Sequence, residues 1–112
     1  MVEYNSALDD VFKALSDPVR REILEALKSG PATVGQIAEP FNMSFAGTAK
    51  HVSVLAKAKL VQKRKVGRQQ LCSLNASPLK ELSTWLDNYA KFWNHHLEAL
   101  ELAIQEFENE KK

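Results

Sequence analysis

Few residues in this chain are equipped for covalent or metal chemistry: one cysteine, Cys72, and three histidines, His51, His95 and His96. A lone thiol cannot close an internal disulfide, and a redox sensor needs a resolving thiol that the chain does not supply. Cys72 alternates with Leu74 along an extended run, which reads as a buried thiol acting as a small hydrophobe. His51 lies in a stretch without Asp or Glu, so no carboxylate in that stretch orients it as a general base. It reads as a packing or backbone-contact histidine. His95 and His96 are adjacent, and adjacent helical side chains diverge by about 100°. His95 with Glu98 makes half an i, i+3 pair, and Asp87 lies eight residues before His95. A zinc site needs three or four convergent ligands, so no metal is expected. With no nucleotide-binding or nucleophile motif either, neither an enzyme nor a cofactor is expected.

What the chain does concentrate is positive charge. Net charge is only +1, but residues 1–39 hold seven acids and four bases, and residues 81–112 hold seven acids and three bases. Between them, residues 40–80 carry eight bases (Lys50, Lys57, Lys59, Lys63, Arg64, Lys65, Arg68 and Lys80) and no acid. A one-signed segment inside a near-neutral chain fits a polyanion-binding face; the plainer reading is a solvated lysine-rich surface.

The elements that must position these cations belong to one domain, residues 1–112. At 112 residues, 45% hydrophobic and 26% charged, the chain can bury a core without disulfides. Glu3, Asp9 and Asp10 stand where a secretory leader needs a basic start, and no run reaches the roughly 18 to 20 apolar residues of a membrane span. A cytoplasmic protein without membrane attachment is expected.

Leu8, Val11, Phe12 and Leu15 fall at helical spacing, with Asn5 or Ser6 as cap. Asp17 before Pro18 opens a second helix with Ile23, Leu24 and Leu27 inward; Lys28 is expected in its last turn, and Gly30 and Pro31 stop it. Thr33 and Gln36 form a capping box for a short third helix carrying Ile37 and Ala38, limited by Pro40. Asn42 is suited to a left-handed turn. Ser44 then caps a fourth helix reaching about Lys57, with Thr48, Val52 and Leu55 inward. Two short helices joined this way make a helix-turn-helix, spanning residues 33–58. Residues 60–65 and 69–74 read as strands of a hairpin spanning residues 60–75. Its turn, Val66, Gly67 and Arg68, is expected to be type I with Gly67 left-handed, because valine resists positive φ. Ser77 and Pro78 open a long final helix, roughly 45 Å, in which Leu79, Leu86, Trp93, Leu100 and Phe107 repeat every seven residues beside Leu82, Tyr89, His96 and Ala103. The fold class is mainly α with a small β-hairpin. Much of the last helix's apolar face needs a partner, supplied by residues 1–16 and by a second copy of the chain.

This order, with the segments FKALSDPVRREILEAL (12–27), TVGQIAEPFNMS (33–44), KHVSVLAKAKLV (50–61) and GRQQLCSLN (67–75), resembles the ArsR-type winged helix-turn-helix repressors over essentially the whole chain. The resemblance implies a cytoplasmic bacterial homodimer that binds double-stranded DNA at an inverted-repeat operator, often overlapping its own promoter, and blocks transcription. The fourth helix would read the DNA and the hairpin would be the wing. The candidate DNA-binding residues are Ser44, Phe45, Ala46, Thr48, Ala49, Lys50, Ser53 and Lys57, with Arg64, Lys65 and Arg68 on the wing. The candidate dimer interface is Leu8, Val11, Phe12, Leu79, Leu82, Trp85, Leu86, Tyr89, Trp93, His96 and Leu100.

The chain departs from the family pattern in places. Where relatives often carry Gln-Pro and a later serine, it has Phe45, Ala46, Gly47, Thr48 and Ala49, and Lys59 replaces a usual glycine. Phe45 either meets a thymine methyl or base step, or folds back beside Met43. Gly47, at a cost of about 1 kcal/mol in a helix, allows either close approach of DNA or a helix that firms on binding. The cluster Trp85, Tyr89, Phe92 and Trp93 either packs or lines a small-molecule pocket. Two alternatives stay open for the whole chain: a metal-, thiol- or small-molecule-responsive sensor on the same scaffold, and a winged helix used only for protein contacts.

Overall fold

The computed structural model describes residues 6–110; Asn5, one of the two candidate caps of the first helix, lies outside them. The elements are α1 (Ser6–Leu15), α2 (Pro18–Leu27), β1 (Ala32–Thr33), α3 (Val34–Phe41), α4 (Phe45–Lys57), β2 (Val61–Val66), β3 (Gln69–Leu74) and α5 (Ser77–Glu110). Two units are distinguished, Met1–Glu81 and Leu82–Lys112.

Local chemistry sets most boundaries of the first unit. Asp17 Oδ1 accepts from the Val19 and Arg20 amides at 2.8 and 3.2 Å, with Pro18 at the first helical position where its missing N–H costs nothing. Lys28 is the residue that ends α2, one place past the last turn expected for it. The capping box opens α3: the Thr33 hydroxyl accepts from the Gln36 amide at 3.2 Å and the Gln36 side chain accepts from the Thr33 amide at 2.9 Å. Asn42 closes that helix at φ 52, with the Met43 and Asn42 amides donating to the Ala38 and Glu39 carbonyls. This left-handed end, rather than Pro40, stops α3. Pro40 lies inside the helix, one residue before its end, and so removes only one hydrogen bond.

The end of α4 follows the same plan. Lys59 adopts φ 63, and the Leu60 and Lys59 amides donate to the Leu55 and Ala56 carbonyls at 3.0 Å each. A lysine thus takes the conformation in which glycine is favoured. The Asn75 side-chain amide donates to the Lys59 carbonyl at 2.8 Å and holds the turn from outside.

The sheet differs from expectation in two ways. It has three antiparallel strands in the order β1-β3-β2, because Ala32 and Thr33 pair with Cys72 and Leu71. A two-residue strand leaves no alternation to read. Val66 belongs to β2 and pairs with Gln69, so the hairpin loop is only Gly67 and Arg68. Gly67 has φ 64 and Arg68 does not have positive φ, the sign pattern of a two-residue type II′ loop. Valine keeps its extended conformation and glycine alone takes the left-handed one.

The core of this unit joins Ile23, Leu24 and Leu27 of α2, Val34, Ile37 and Ala38 of α3, and Val52 and Leu55 of α4 to Leu60, Val61 and Cys72. Val11 and Ala14 of α1 are buried with them. Val11 was expected at the dimer interface; at 3% exposure it packs its own protomer, leaving Leu8 half-buried and Phe12 exposed on that helix.

α5 is a 34-residue helix, about 51 Å long at 1.5 Å per residue. None of its residues is buried. Leu79 and Leu82 are half-buried, while Leu86, Tyr89, Phe92, Trp93, Leu97, Leu100, Ile104 and Phe107 are exposed. No helix among the described residues is long and apolar enough to cross a membrane.

Candidate nucleic-acid interface

The start of α4 is built by Ser44, whose hydroxyl accepts from the Gly47 amide at 3.0 Å. A Cβ at position 47 would stand 3.0 Å from that oxygen and 3.7 Å from the Met43 methyl. Gly47 is therefore accounted for by the cap itself. Thr48, one of the candidate DNA-contact residues, is wholly buried, and its hydroxyl donates to the Ser44 carbonyl at 2.9 Å. It is an inward residue with its hydrogen bond satisfied inside the helix, and so offers nothing to DNA.

The other candidates on α4 lie at its surface. Ala46, Lys50, Ser53 and Lys57 are exposed and Ala49 is half-buried. Phe45 is 65% exposed and does not fold back into the core, while Met43 beside it is half-buried. A large apolar ring held in water at the head of a helix is suited to apolar contact with a thymine methyl or deoxyribose. On the wing, Arg64, Lys65 and Arg68 are all exposed, with Arg68 in the two-residue loop.

Phe45, Ala49 and Arg68 come together around an open groove of about 410 Å³, whose other walls are Thr33, Val34 and Gly35 from the start of α3 and Gln69 and Gln70 from β3. Four of these polar or backbone-lined positions, Thr33, Gly35, Gln69 and Gln70, escaped the sequence reading. Thr33 was legible only as a cap. Gln69 and Gln70 follow the basic tip directly, and glutamine's paired donor and acceptor suit base edges or phosphates, a signal that the charge count overlooks.

Behind α4 lies a polar network. His51 Nδ1 is 3.4 Å from Arg20 Nη1, which is also 3.7 Å from the Asp17 carboxylate. Burial alone would raise the Asp17 pKa. The amide hydrogen bonds from Arg20 and Val19 and the charge of Arg20 outweigh it, so the carboxyl is held below its usual value. The acid-free segment is thus linked through Arg20 to a carboxylate, the cap of α2. Cys72 is wholly buried, and burial pushes its thiol pKa up against the smaller opposing effect of Lys63, which keeps it protonated and unreactive at neutral pH.

On α5, Trp85 and Tyr89 rings lie 4.7 Å apart, and His96 stacks on Phe92 at 4.1 Å with its Nδ1 3.0 Å from the Phe92 carbonyl. That contact accounts for one nitrogen of His96, while His95 is exposed. Among the described residues, no three His, Cys, Asp or Glu side chains gather where they would hold a metal ion.

Residues 15–64 match a family model described as a helix-turn-helix domain. The chain is 39% identical over 82 residues to the transcriptional repressor SdpR of Bacillus subtilis, covering 73% of this chain and 91% of that one. It is 34% identical to the arsenical resistance operon repressor of Staphylococcus xylosus, covering 71% and 77% respectively. In fold it is similar to a crystallised ArsR family transcriptional regulator, with a TM-score of 0.76 at 34% identity over 84% of this chain and 97% of the other. With the helical order, the basic hairpin and these relatives in agreement, the chain belongs to the ArsR family of winged helix-turn-helix proteins and is a DNA-binding transcriptional regulator.

Proposed function

We propose that the protein is a cytoplasmic repressor without catalytic activity, acting as a homodimer on an inverted-repeat operator. Residues 33–58 serve as its helix-turn-helix, residues 60–75 as its wing, and residues 1–16 and 77–110 as its dimerisation helices within one functional domain. In this reading α4 enters the major groove with Phe45, Ala46 and Ala49 toward base edges, and Lys50, Ser53 and Lys57 meet phosphates. Arg64, Lys65 and Arg68 reach the adjacent backbone or minor groove. A dyad relating two copies would set the two reading helices about 34 Å apart, one turn of DNA.

The observation that carries the proposal is the exposed, acid-free run of cations on α4 and the wing, flanking a groove shared by Phe45 and Arg68. Support for the dimer comes from the exposed apolar residues of α5, a patch that a monomer would keep in water. The test is to incubate the purified chain, with and without chelator, with a randomised duplex pool and to sequence what it retains. Enrichment of an inverted repeat in both samples is expected. An enriched single half-site would overturn the dimer, loss of enrichment with chelator would overturn a metal-free mechanism, and no enrichment at all would overturn the operator reading.

A further inference from the structure

The Arg20 guanidinium ties three helices together. Nε donates to the Ala14 carbonyl at 2.7 Å and Nη2 to the Lys13 carbonyl at 2.9 Å, so two of its nitrogens close the end of α1. The third, Nη1, faces Asp17 at the head of α2 and His51 Nδ1 on α4, at 3.7 and 3.4 Å. A guanidinium has donors and no acceptor, and it stays charged over any pH at which proteins fold. Across this contact Nδ1 must therefore be the acceptor. With Nδ1 accepting there, the ring hydrogen is the one on Nε2.

Nε2 has no hydrogen-bond partner among the described residues, and the side chain is only half-buried. His51 sits next to Lys50 on the helix, turned by about 100° from Lys50 and further from Ser53 and Lys57. Its ring is drawn back toward α2. A donor in that position stands at the flank of a helix seated in a groove, where phosphates pass, rather than at the tip, where base edges lie.

We infer that Arg20 is a positioning residue for DNA binding: it fixes His51 as the Nε2–H tautomer, and His51 gives that hydrogen to a DNA phosphate oxygen. The inference rests on α4 facing DNA. It adds a histidine contact to those that the lysines and arginines make with phosphates, and it links the end of α1 to the seating of α4 through one side chain.

The test uses the full-length chain and the duplex enriched from the randomised pool, with Arg20→Met, His51→Ala, His51→Gln and the Arg20→Met/His51→Ala double variant. All are compared below their unfolding temperatures. Each of Arg20→Met and His51→Ala should weaken binding about tenfold, and the double variant should be no weaker than the weaker single one. His51→Gln, which keeps an N–H donor, should recover part of the loss. The salt dependence should keep its slope in every variant, because no cation leaves a phosphate.

In the free protein, the 15N signal of His51 Nδ1 should move toward that of an unbonded ring nitrogen in Arg20→Met. Additive losses would overturn the inference, as would a slope shallower by about 0.9 in Arg20→Met, which would put Arg20 itself on a phosphate, or an unmoved Nδ1 signal. Normal binding by His51→Ala would overturn it and leave the operator reading intact. A parent chain that retains no duplex would overturn both, and in that case the Nδ1 signal still reports whether Arg20 holds the ring.

Discussion

Ile23, Val52, Leu55 and Leu60 are almost wholly withdrawn from water in the first unit, whereas every residue from 83 to 110 is exposed. Yet that second stretch carries Leu86, Trp93, Leu100 and Phe107 at heptad spacing. The first unit completes its core from its own chain; α5 leaves its apolar residues in water, the seam that the proposed dimer would cover. Stability and assembly should therefore respond to different mutations, one independent of protein concentration and the other governed by it.

The largest effect is expected inside. Leu55→Ala leaves a cavity in the core and should cost about 2 to 5 kcal/mol by denaturant titration, with the same loss at every protein concentration. Next comes the seam: replacing Leu86, Trp93 and Leu100 together with serine should yield monomers by sedimentation. Operator affinity should then fall by about 100-fold or more as the two half-sites lose their linkage. A dimer surviving that triple change would break the comparison. Arg68→Ala should touch neither property. It should weaken operator binding about tenfold and make the log–log salt dependence shallower by about 0.9.

Two smaller changes sharpen the account of the first unit. Lys59→Gly should stabilise it by about 1 kcal/mol in the same titration, because glycine takes φ 63 without the crowding a lysine Cβ meets. For Asp17 the sign follows from its lowered folded-state pKa: the ionised cap favours the fold above the ordinary carboxylate range, and that contribution is lost as pH falls through the lower folded value. Asp17→Asn, which keeps an accepting oxygen, should flatten the acid limb of a melting-temperature profile.

Where a boundary is set by neighbours a few residues apart, it was legible. Asp17, Thr33 with Gln36, Asn42, Ser44 and Gly67 each stand in the role their side chains or backbone preferences suggest. What escaped depends on distant partners. β1 exists only because residues about forty positions later pair with it. Val11 and Thr48 change from candidate contacts to core because the elements around them close over those positions. The Arg20 contact to His51 crosses 31 residues of sequence, and no periodicity announces it. Among the candidate residues, the exposure of the cationic ones was the most legible, since charge seeks water and Lys50, Lys57, Arg64, Lys65 and Arg68 all remain exposed. The uncharged groove walls were the least legible.

Thr33 belongs to two structures at once: its backbone is paired with Leu71 in the sheet, and its side chain starts α3. The rotational phase of α3 is thereby indexed to the wing. One residue inserted between Thr33 and Val34 would turn every α3 side chain by about 100° against the sheet. Ile37 and Ala38 would swing away from the core, so this junction tolerates exchange of side chains far better than any change in its length.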